Sequence, residues 1–174
     1  MEKKKVIPTW VGIVNLILVL GSMAWTIYSM LYTEVQGHEI ESMIIHALTL
    51  VLLFMALLYC VMGYKNKSNL FFDCVVYLYT GVVFVTSLLV REGPIFLLII
   101  SNLSFGILSI LAIAKDIGKK KSFILCRINV LLALVRIIAY VAVVREFPGG
   151  MFGNFLLSII LGIMVYTKYT EKAK

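Results

Sequence analysis

The feature that most constrains this chain is a series of long apolar runs separated by short polar segments. The six runs are Thr9–Tyr32, Met43–Gly63, Leu70–Val90, Pro94–Ala114, Phe123–Val144 and Met151–Thr167. A helix needs about 20 apolar residues to cross the hydrocarbon core of a bilayer, whereas a membrane β-strand needs only about 9–11. Because backbone groups in lipid must be hydrogen-bonded within their own segment, each run is predicted to be a membrane-spanning helix.

The composition agrees with this prediction. The chain is 61% hydrophobic and 14% charged, whereas a soluble domain is about 45–50% apolar and about a quarter charged. The first run is too long for a cleavable signal sequence and is expected to remain as a span. Cys60, Cys74 and Cys126 form no CxxC pair. They are expected to pack as small apolar residues, and no metal or other cofactor is predicted.

The polar segments fall into two sets that differ in charge. One set contains twelve Lys and no Arg, and its members are Met1–Lys5, Lys65–Asn69, Lys115–Ser122 and Lys168–Lys174. The other contains two Arg and five acids, and its members are Thr33–Ser42, Arg91–Gly93 and Arg145–Gly150. Because short cytoplasmic loops are enriched in Lys and Arg, a cell-membrane protein with both termini in the cytoplasm is predicted. The net charge of +7 is attributed to these loops, and no nucleic-acid partner is expected.

An internal repeat is indicated at an offset of 54 residues. Lys65–Ser68 (KNKS) resembles Lys119–Ser122 (KKKS). Further on, Val90–Pro94 (VREGP) resembles Val144–Pro148 (VREFP), which is typical of a duplicated unit. We therefore predict an all-α integral membrane protein with a single domain, residues 1–174, folded as a six-transmembrane-helix bundle of two-helix hairpins. The hairpins are residues 9–63, 70–114 and 123–167, and the last two are predicted to be copies.

Three charged residues lie well inside the predicted spans, and they are Asp73, Arg127 and Arg136. A charge in hydrocarbon is costly, so such residues are candidates for function. Asp73 and Arg127 lie near the cytoplasmic ends of the third and fifth helices and occupy matching positions of the repeat. A structural ion pair between them is therefore predicted. Two alternatives remain open, because Arg127 could contact lipid phosphates and Asp73 could be a proton or cation site.

Arg136 is the deepest of the three charges. At a rise of about 1.5 Å per residue it lies about 12 Å from the outer end of its helix, and no acid occurs at this depth. It is therefore either solvated by water and polar groups, or it binds an anion such as a carboxylate, a phosphate or a lipid headgroup. Asn102 falls at the same depth on the fourth helix and is its predicted partner. The other candidate ligand-binding residues are Asn129, Tyr140, Ser22 and Thr80. The polar face that contains Thr80 also contains Asp73 and Tyr77.

Three functions are compatible with this pattern. The favoured one is a transporter or ligand-binding component that holds a small anionic or zwitterionic solute, or a lipid headgroup, in a polar cavity within the bundle. The alternative is a non-catalytic accessory subunit, such as a transporter substrate-binding subunit, whose Lys-rich loops dock a membrane or cytoplasmic protein. A lipid-acting intramembrane enzyme comes third. The HExxH, GxSxG, GxGxxG and P-loop motifs are absent, so no catalytic residue is assigned.

Overall fold

The part of the chain that the structure describes folds into six long helices. A computed structural model describes residues 9–32, 39–63, 69–89, 94–114, 117–145 and 149–171. The helices are α1 (Thr9–Tyr32), α2 (Glu39–Leu58), α3 (Asn69–Leu89), α4 (Ile95–Ile113), α5 (Lys119–Val144) and α6 (Gly149–Glu171). A π-helical turn, Tyr59–Gly63, continues α2. Within the described ranges there is no β-strand.

All six helices are long and apolar enough to cross a membrane, which confirms the predicted spans and makes this a multi-pass membrane protein. Several helices begin or end a few residues beyond the apolar runs. For example, α5 begins at Lys119 rather than Phe123. The apolar run marks only the part of a helix that lies in hydrocarbon, and polar residues can extend the helix into the interface. The hairpin arrangement, the repeat and the orientation in the membrane stay predictions. Residues 65–68, 90–93 and 146–148 of the repeat motifs lie outside the described residues.

The helices form a closed ring in sequence order. Each packs against the helices before and after it, α1 and α6 close the ring, and α3 and α6 meet across its middle. That central contact divides the interior into two parts. One part lies between α1, α2, α3 and α6, and the other lies between α3, α4, α5 and α6.

The interior is packed with aliphatic side chains, and the outer surface is also apolar. The fully buried set includes Val19, Leu53, Val82, Leu108 and Ile160. Outward side chains include Ile95 and Ile113, which are 74% and 78% exposed. Since lipid is as apolar as leucine, helix association here depends on packing and on interhelical hydrogen bonds rather than on exclusion of water.

One end of the bundle contains the exposed side chains of Lys119–Lys121, and we call it the lysine-rich end. Here the ammonium of Lys168 in α6 lies 3.5 Å from the carboxylate of Asp73 in α3. The Ser122 hydroxyl of α5 also donates a hydrogen bond to the Tyr169 hydroxyl of α6 at 3.2 Å. These contacts hold the ends of α3, α5 and α6 together.

At the opposite end an aromatic group joins α1 to α6. The indole N–H of Trp25 donates to the backbone carbonyl of Gly149 at 3.2 Å. The Trp25 ring also packs edge-on against Phe152 and beside Tyr28. Trp and Tyr side chains are enriched where membrane helices reach the interface, because they combine an apolar body with a polar atom.

Candidate functional site

A buried arginine is the most unusual feature of the interior. Arg136 lies eight residues before the end of α5 at Val144, which corresponds to a depth of about 12 Å. It is only 5% exposed. Within the described residues its Nε has no hydrogen-bond partner. Because a guanidinium keeps its charge in proteins, the bundle contains a buried positive charge that is incompletely solvated by protein groups.

A hydrogen-bonded network of three helices lies beside this arginine. The Tyr79 hydroxyl of α3 is 2.6 Å from the Ser158 hydroxyl of α6 and 2.9 Å from the Asn154 carbonyl oxygen. The Asn129 side-chain amide of α5 donates to the Ser158 hydroxyl at 3.2 Å. The Ser158 hydroxyl in turn lies 3.0 Å from the Asn154 carbonyl oxygen. The Tyr79 and Ser158 hydroxyls can therefore be satisfied without water.

The network has two alternative proton arrangements. In one, Ser158 donates to Tyr79 and Tyr79 donates to the Asn154 carbonyl. In the other, Tyr79 donates to Ser158 and Ser158 donates to the same carbonyl. Both arrangements give each hydroxyl an acceptor for its hydrogen, because a hydroxyl donates one hydrogen and can accept others.

Arg136 and this network form one site, which we call the Arg136 cluster and define as Tyr79, Asn129, Arg136 and Ser158. Asn129 and Arg136 are seven residues apart and thus share a face of α5. Arg136 and Tyr79 are close enough to interact electrostatically across α3 and α5. All four residues are buried. The cluster can offer the N–H donors of its guanidinium and the second N–H of the Asn129 amide to one small ligand, because the Tyr79 hydrogen is already donated within the network.

The predicted partner Asn102 does not join this cluster. Asn102 is exposed on α4, and within the described residues no hydrogen bond links it to Arg136. The adjacent residue Ser101 points inward instead, and its hydroxyl donates to the Leu97 carbonyl of its own helix at 2.8 Å. Neighbouring residues on a helix point about 100° apart. The predicted depth of Asn102 in the membrane therefore did not determine the direction in which its side chain points.

The other predicted ligand-binding residues are dispersed. Ser22 is buried, and its Oγ has no partner within the described residues, but it lies on α1, which packs against α2 and α6. Thr80 is partly buried and donates to the Val76 carbonyl of its own helix at 2.8 Å. Tyr140 is partly buried one turn beyond Arg136. Of the predicted set, Asn129 and Arg136 are therefore the pair that the structure brings into one cluster.

Tyr79 and Ser158 were absent from the predicted set. The polar face predicted for the third helix contained Tyr77, which is 50% exposed, whereas Tyr79 is 2% exposed. The burial pattern of α3 follows the spacing Phe72, Val75, Tyr79 and Val82. This apolar spacing of three and four residues was the available signal for the inward face.

The predicted ion pair between Asp73 and Arg127 is replaced by a different one. Asp73 pairs with Lys168 at 3.5 Å, and the Lys168 ammonium also lies 3.8 Å from the centre of the Phe72 ring. Arg127 is exposed on α5. Asp73 pairs with Lys168 because α3 contacts α6 at the centre of the bundle and Lys168 lies in the last turn of α6.

A second, smaller polar group lies in the other part of the interior. The Asn15 amide of α1 donates to the Cys60 sulfur at 3.1 Å, and the Asn15 carbonyl oxygen has no partner within the described residues. Nearby, the Tyr59 hydroxyl of the π-helical turn and the Thr167 hydroxyl of α6 are 3.0 Å apart. No group of three His, Cys, Asp or Glu in the described ranges could hold a metal ion.

Comparison with known proteins assigns no function to these two polar groups. No protein-family model matches the chain, and neither a curated protein nor a solved structure shows significant similarity to it. A function for this protein is therefore inferred from the Arg136 cluster itself.

Proposed function

We propose that this protein is a membrane transporter or ligand-binding component that binds a small monoanion beside Arg136. The observation that supports the proposal is a guanidinium that is 5% exposed and whose Nε has no hydrogen-bond partner within the described residues. A charged group inside hydrocarbon is strongly disfavoured unless it is paired or solvated. An anionic ligand would supply both the missing charge and the missing acceptor.

The chain offers no counter-ion for this role within its spans. Asp73 is the one acid inside the six candidate spans. It already pairs with Lys168 at the lysine-rich end. Asp73 lies four residues from the start of α3, and Arg136 lies seventeen residues from the start of α5, so they differ in depth by roughly 20 Å. At that separation Asp73 cannot hydrogen-bond to the guanidinium.

The chemistry of the cluster favours a carboxylate or a phosphodiester as the ligand. Arginine presents N–H donors in a planar fork that matches two oxygens of a carboxylate or phosphate. One guanidinium neutralises one negative charge, so a monoanion would leave the site neutral. The second N–H of the Asn129 side-chain amide would then contact polar parts of the ligand. Both a free carboxylate solute and the headgroup of an anionic lipid fit this description.

The depth of Arg136 also suggests the side of entry. Its Cα is about 12 Å from the Val144 end of α5 and about 26 Å from the Lys119 end. With the lysine-rich end in the cytoplasm, as the charge bias favours, the ligand would enter from the outer side. A Lys120→Cys variant in a cysteine-free background should resist a membrane-impermeant maleimide in intact cells and react in inverted vesicles. Labelling in intact cells would contradict this orientation.

The binding proposal is tested by comparing Arg136→Gln with the native protein in detergent. Thermal unfolding is recorded at increasing concentrations of sodium acetate or sodium phosphate. Choline chloride at equal ionic strength is the reference salt. A ligand that binds only the folded state raises the unfolding temperature with concentration. We expect acetate or phosphate to stabilise the native protein and to lose this effect in Arg136→Gln. Native mass spectrometry then identifies any anionic lipid that co-purifies with the native protein and not with the variant.

Arg127→Gln is the matched control for this experiment. It removes the same charge from the same helix, but Arg127 is exposed and lies outside the cluster. Arg136→Gln should fold normally, because it removes a buried charge rather than a partner of one. Equal ligand responses in native protein and Arg136→Gln, with no lipid difference, would exclude the cluster as an anion site.

An accessory role is the second candidate, and one observation favours it. Lys119, Lys120 and Lys121 are exposed in the first turn of α5, which contains no acid. Cations at a helix N-terminus oppose the helix dipole, so helix stability does not explain them. An acidic surface on a membrane or cytoplasmic protein would complement these lysines. Replacing all three by Gln should then abolish co-purification of such a partner, and an unchanged set of co-purified proteins would argue against it.

A further inference from the structure

The outward face of α4 contains a polar residue in the middle of a membrane span. The inward residues of this helix are Leu97, Ser101, Leu108 and Ala112. Asn102 is exposed, and it is two residues from the centre of the Ile95–Ile113 span. Its Cα is about 10 Å from the Ile95 end. An isolated copy of the protein would therefore hold a primary amide against lipid hydrocarbon.

This amide has no partner in its own chain as far as the described residues extend. Asparagine has two N–H donors and a carbonyl acceptor, and none of them can be satisfied by lipid tails. Unlike lysine or arginine, its side chain is too short to reach the interface from this depth. A polar residue in this position calls for a partner that arrives from outside the chain.

We propose that α4 is the contact surface of a parallel homodimer, in which Asn102 hydrogen-bonds to Asn102 of a second copy of this chain. All copies of a membrane protein insert in one orientation, so a two-fold axis along the membrane normal brings each residue to its equivalent at equal depth. An amide is its own complement, because the carbonyl of one copy accepts from the N–H of the other. An unrelated partner would need a matching group at this one depth, whereas a second copy supplies it automatically.

The shape of the surface fits close approach of two helices. Alternate steps of four and three residues connect Ile95, Ile99, Asn102, Gly106, Ser109 and Ile113, which is the spacing of a left-handed helix pair. A Cβ added to Gly106 would meet no atom within 4 Å, so this position opens outward. Glycine one turn from the amide lets the two backbones approach closely enough for the hydrogen bond. The side of α4 away from α3 and α5 is available for this contact.

Another outward face provides a control. Gly21 on α1 is also exposed, and a Cβ there would also meet no atom within 4 Å. The neighbouring outward residues Ile17 and Leu20 are apolar, so this face lacks the self-complementary amide. If small outward glycines alone caused association, α1 would serve as well as α4. The proposal instead requires that α4 be used.

Dimerisation is measured by energy transfer between labelled copies in liposomes over a range of protein-to-lipid ratios. Asn102→Leu should weaken the dimer roughly tenfold, which corresponds to about 1.4 kcal/mol, because it removes the two reciprocal hydrogen bonds of the amide pair. Asn102→Gln should retain most of the association. Gly21→Leu should leave it unchanged. A monomeric native protein at all ratios, or native-like association of Asn102→Leu, would overturn the proposal.

Cysteine cross-linking locates the surface without removing the amide. With Cys60, Cys74 and Cys126 replaced by Ala, Ile99→Cys should form a disulfide-linked dimer under mild oxidation. Ile138→Cys, at a similar depth on α5 and 59% exposed in the native residue, should not. Adding Asn102→Leu to Ile99→Cys should reduce the cross-linked fraction. Equal cross-linking at both positions would mean random collision, and none at Ile99→Cys would exclude α4 as the contact.

Discussion

Replacing Tyr79 by Phe isolates the hydrogen bonds that hold the Arg136 cluster together. The Tyr79 ring is 2% exposed, and Phe keeps the ring in place, so no cavity forms. The change removes one hydroxyl, which lies 2.6 Å from the Ser158 hydroxyl and 2.9 Å from the Asn154 carbonyl oxygen. In the variant Ser158 still accepts from Asn129 and donates to the Asn154 carbonyl. The Ser158 hydroxyl and the Asn129 N–H that it accepts therefore keep their partners.

The expected loss follows from this geometry. A hydrogen bond contributes about 0.5–1.5 kcal/mol net in a folded protein, and side-chain pairs between membrane helices average about 0.6 kcal/mol. Tyr79 makes two such contacts, so Tyr79→Phe should lower the free energy of unfolding by about 1–2 kcal/mol. Ser158→Ala should cost more, about 2–3 kcal/mol, because it removes the acceptor of the buried Asn129 amide.

The assay is unfolding by sodium dodecyl sulfate from bicelles, followed by circular dichroism. The two single variants and the double variant form a cycle, and the coupling between Tyr79 and Ser158 should be about 1 kcal/mol. Thr86→Ala gives the control cycle, because the Thr86 hydroxyl donates to the Val82 carbonyl of its own helix and should not couple to Tyr79. A coupling energy near zero between Tyr79 and Ser158 would refute the network. An equally large coupling energy between Tyr79 and Thr86 would also refute it.

Two further predictions concern the ends of the bundle. Lys168→Met should lower the free energy of unfolding by about 1 kcal/mol in the same assay, since it removes an ion pair and a cation–π contact. Its control, Arg127→Met, should change the free energy of unfolding by less than about 0.5 kcal/mol. Gly149→Val should lower the free energy of unfolding by about 1–3 kcal/mol and shift Trp25 fluorescence, because a Cβ would lie 3.3 Å from the indole. Gly150→Val, at an open position, should alter neither the stability nor the fluorescence. A fluorescence spectrum unchanged in Gly149→Val would contradict the contact.

The spans were predictable because lipid imposes one strong condition on the chain. Unpaired backbone groups are excluded from hydrocarbon, so an apolar run of sufficient length must be helical. This condition applies to each run separately and needs no knowledge of its neighbours. It says nothing about polar extensions such as Lys119–Ser122, which the helix adds outside the hydrocarbon.

The depth of each polar residue was predictable for the same reason, but its direction was not. Asn129 and Arg136 are both buried, as the spacing of seven residues on one helix predicts. Contacts between helices depend on how each helix is rotated, and an error of one residue turns a side chain by about 100°. Asn102 and the inward Ser101 differ by this one step. Likewise, Asp73 pairs with Lys168 because α3 packs on α6, an order that no single helix encodes.

The separation of Arg136 from Asn102 leads to a final prediction about how binding and association relate. Arg136 is buried beside Tyr79, whereas Asn102 is on the outward face of α4, and no hydrogen bond between the described residues joins them. The free-energy effects of substitutions at two sites without shared partners usually add, within about 0.3–0.5 kcal/mol. Asn102→Leu should therefore dissociate the dimer without changing the acetate or phosphate response. Arg136→Gln should remove that response without changing the dimer, and the double variant should combine both losses. If Asn102→Leu also lost the anion response, the anion site would need the second copy, and the cluster within one chain would not be sufficient to form it.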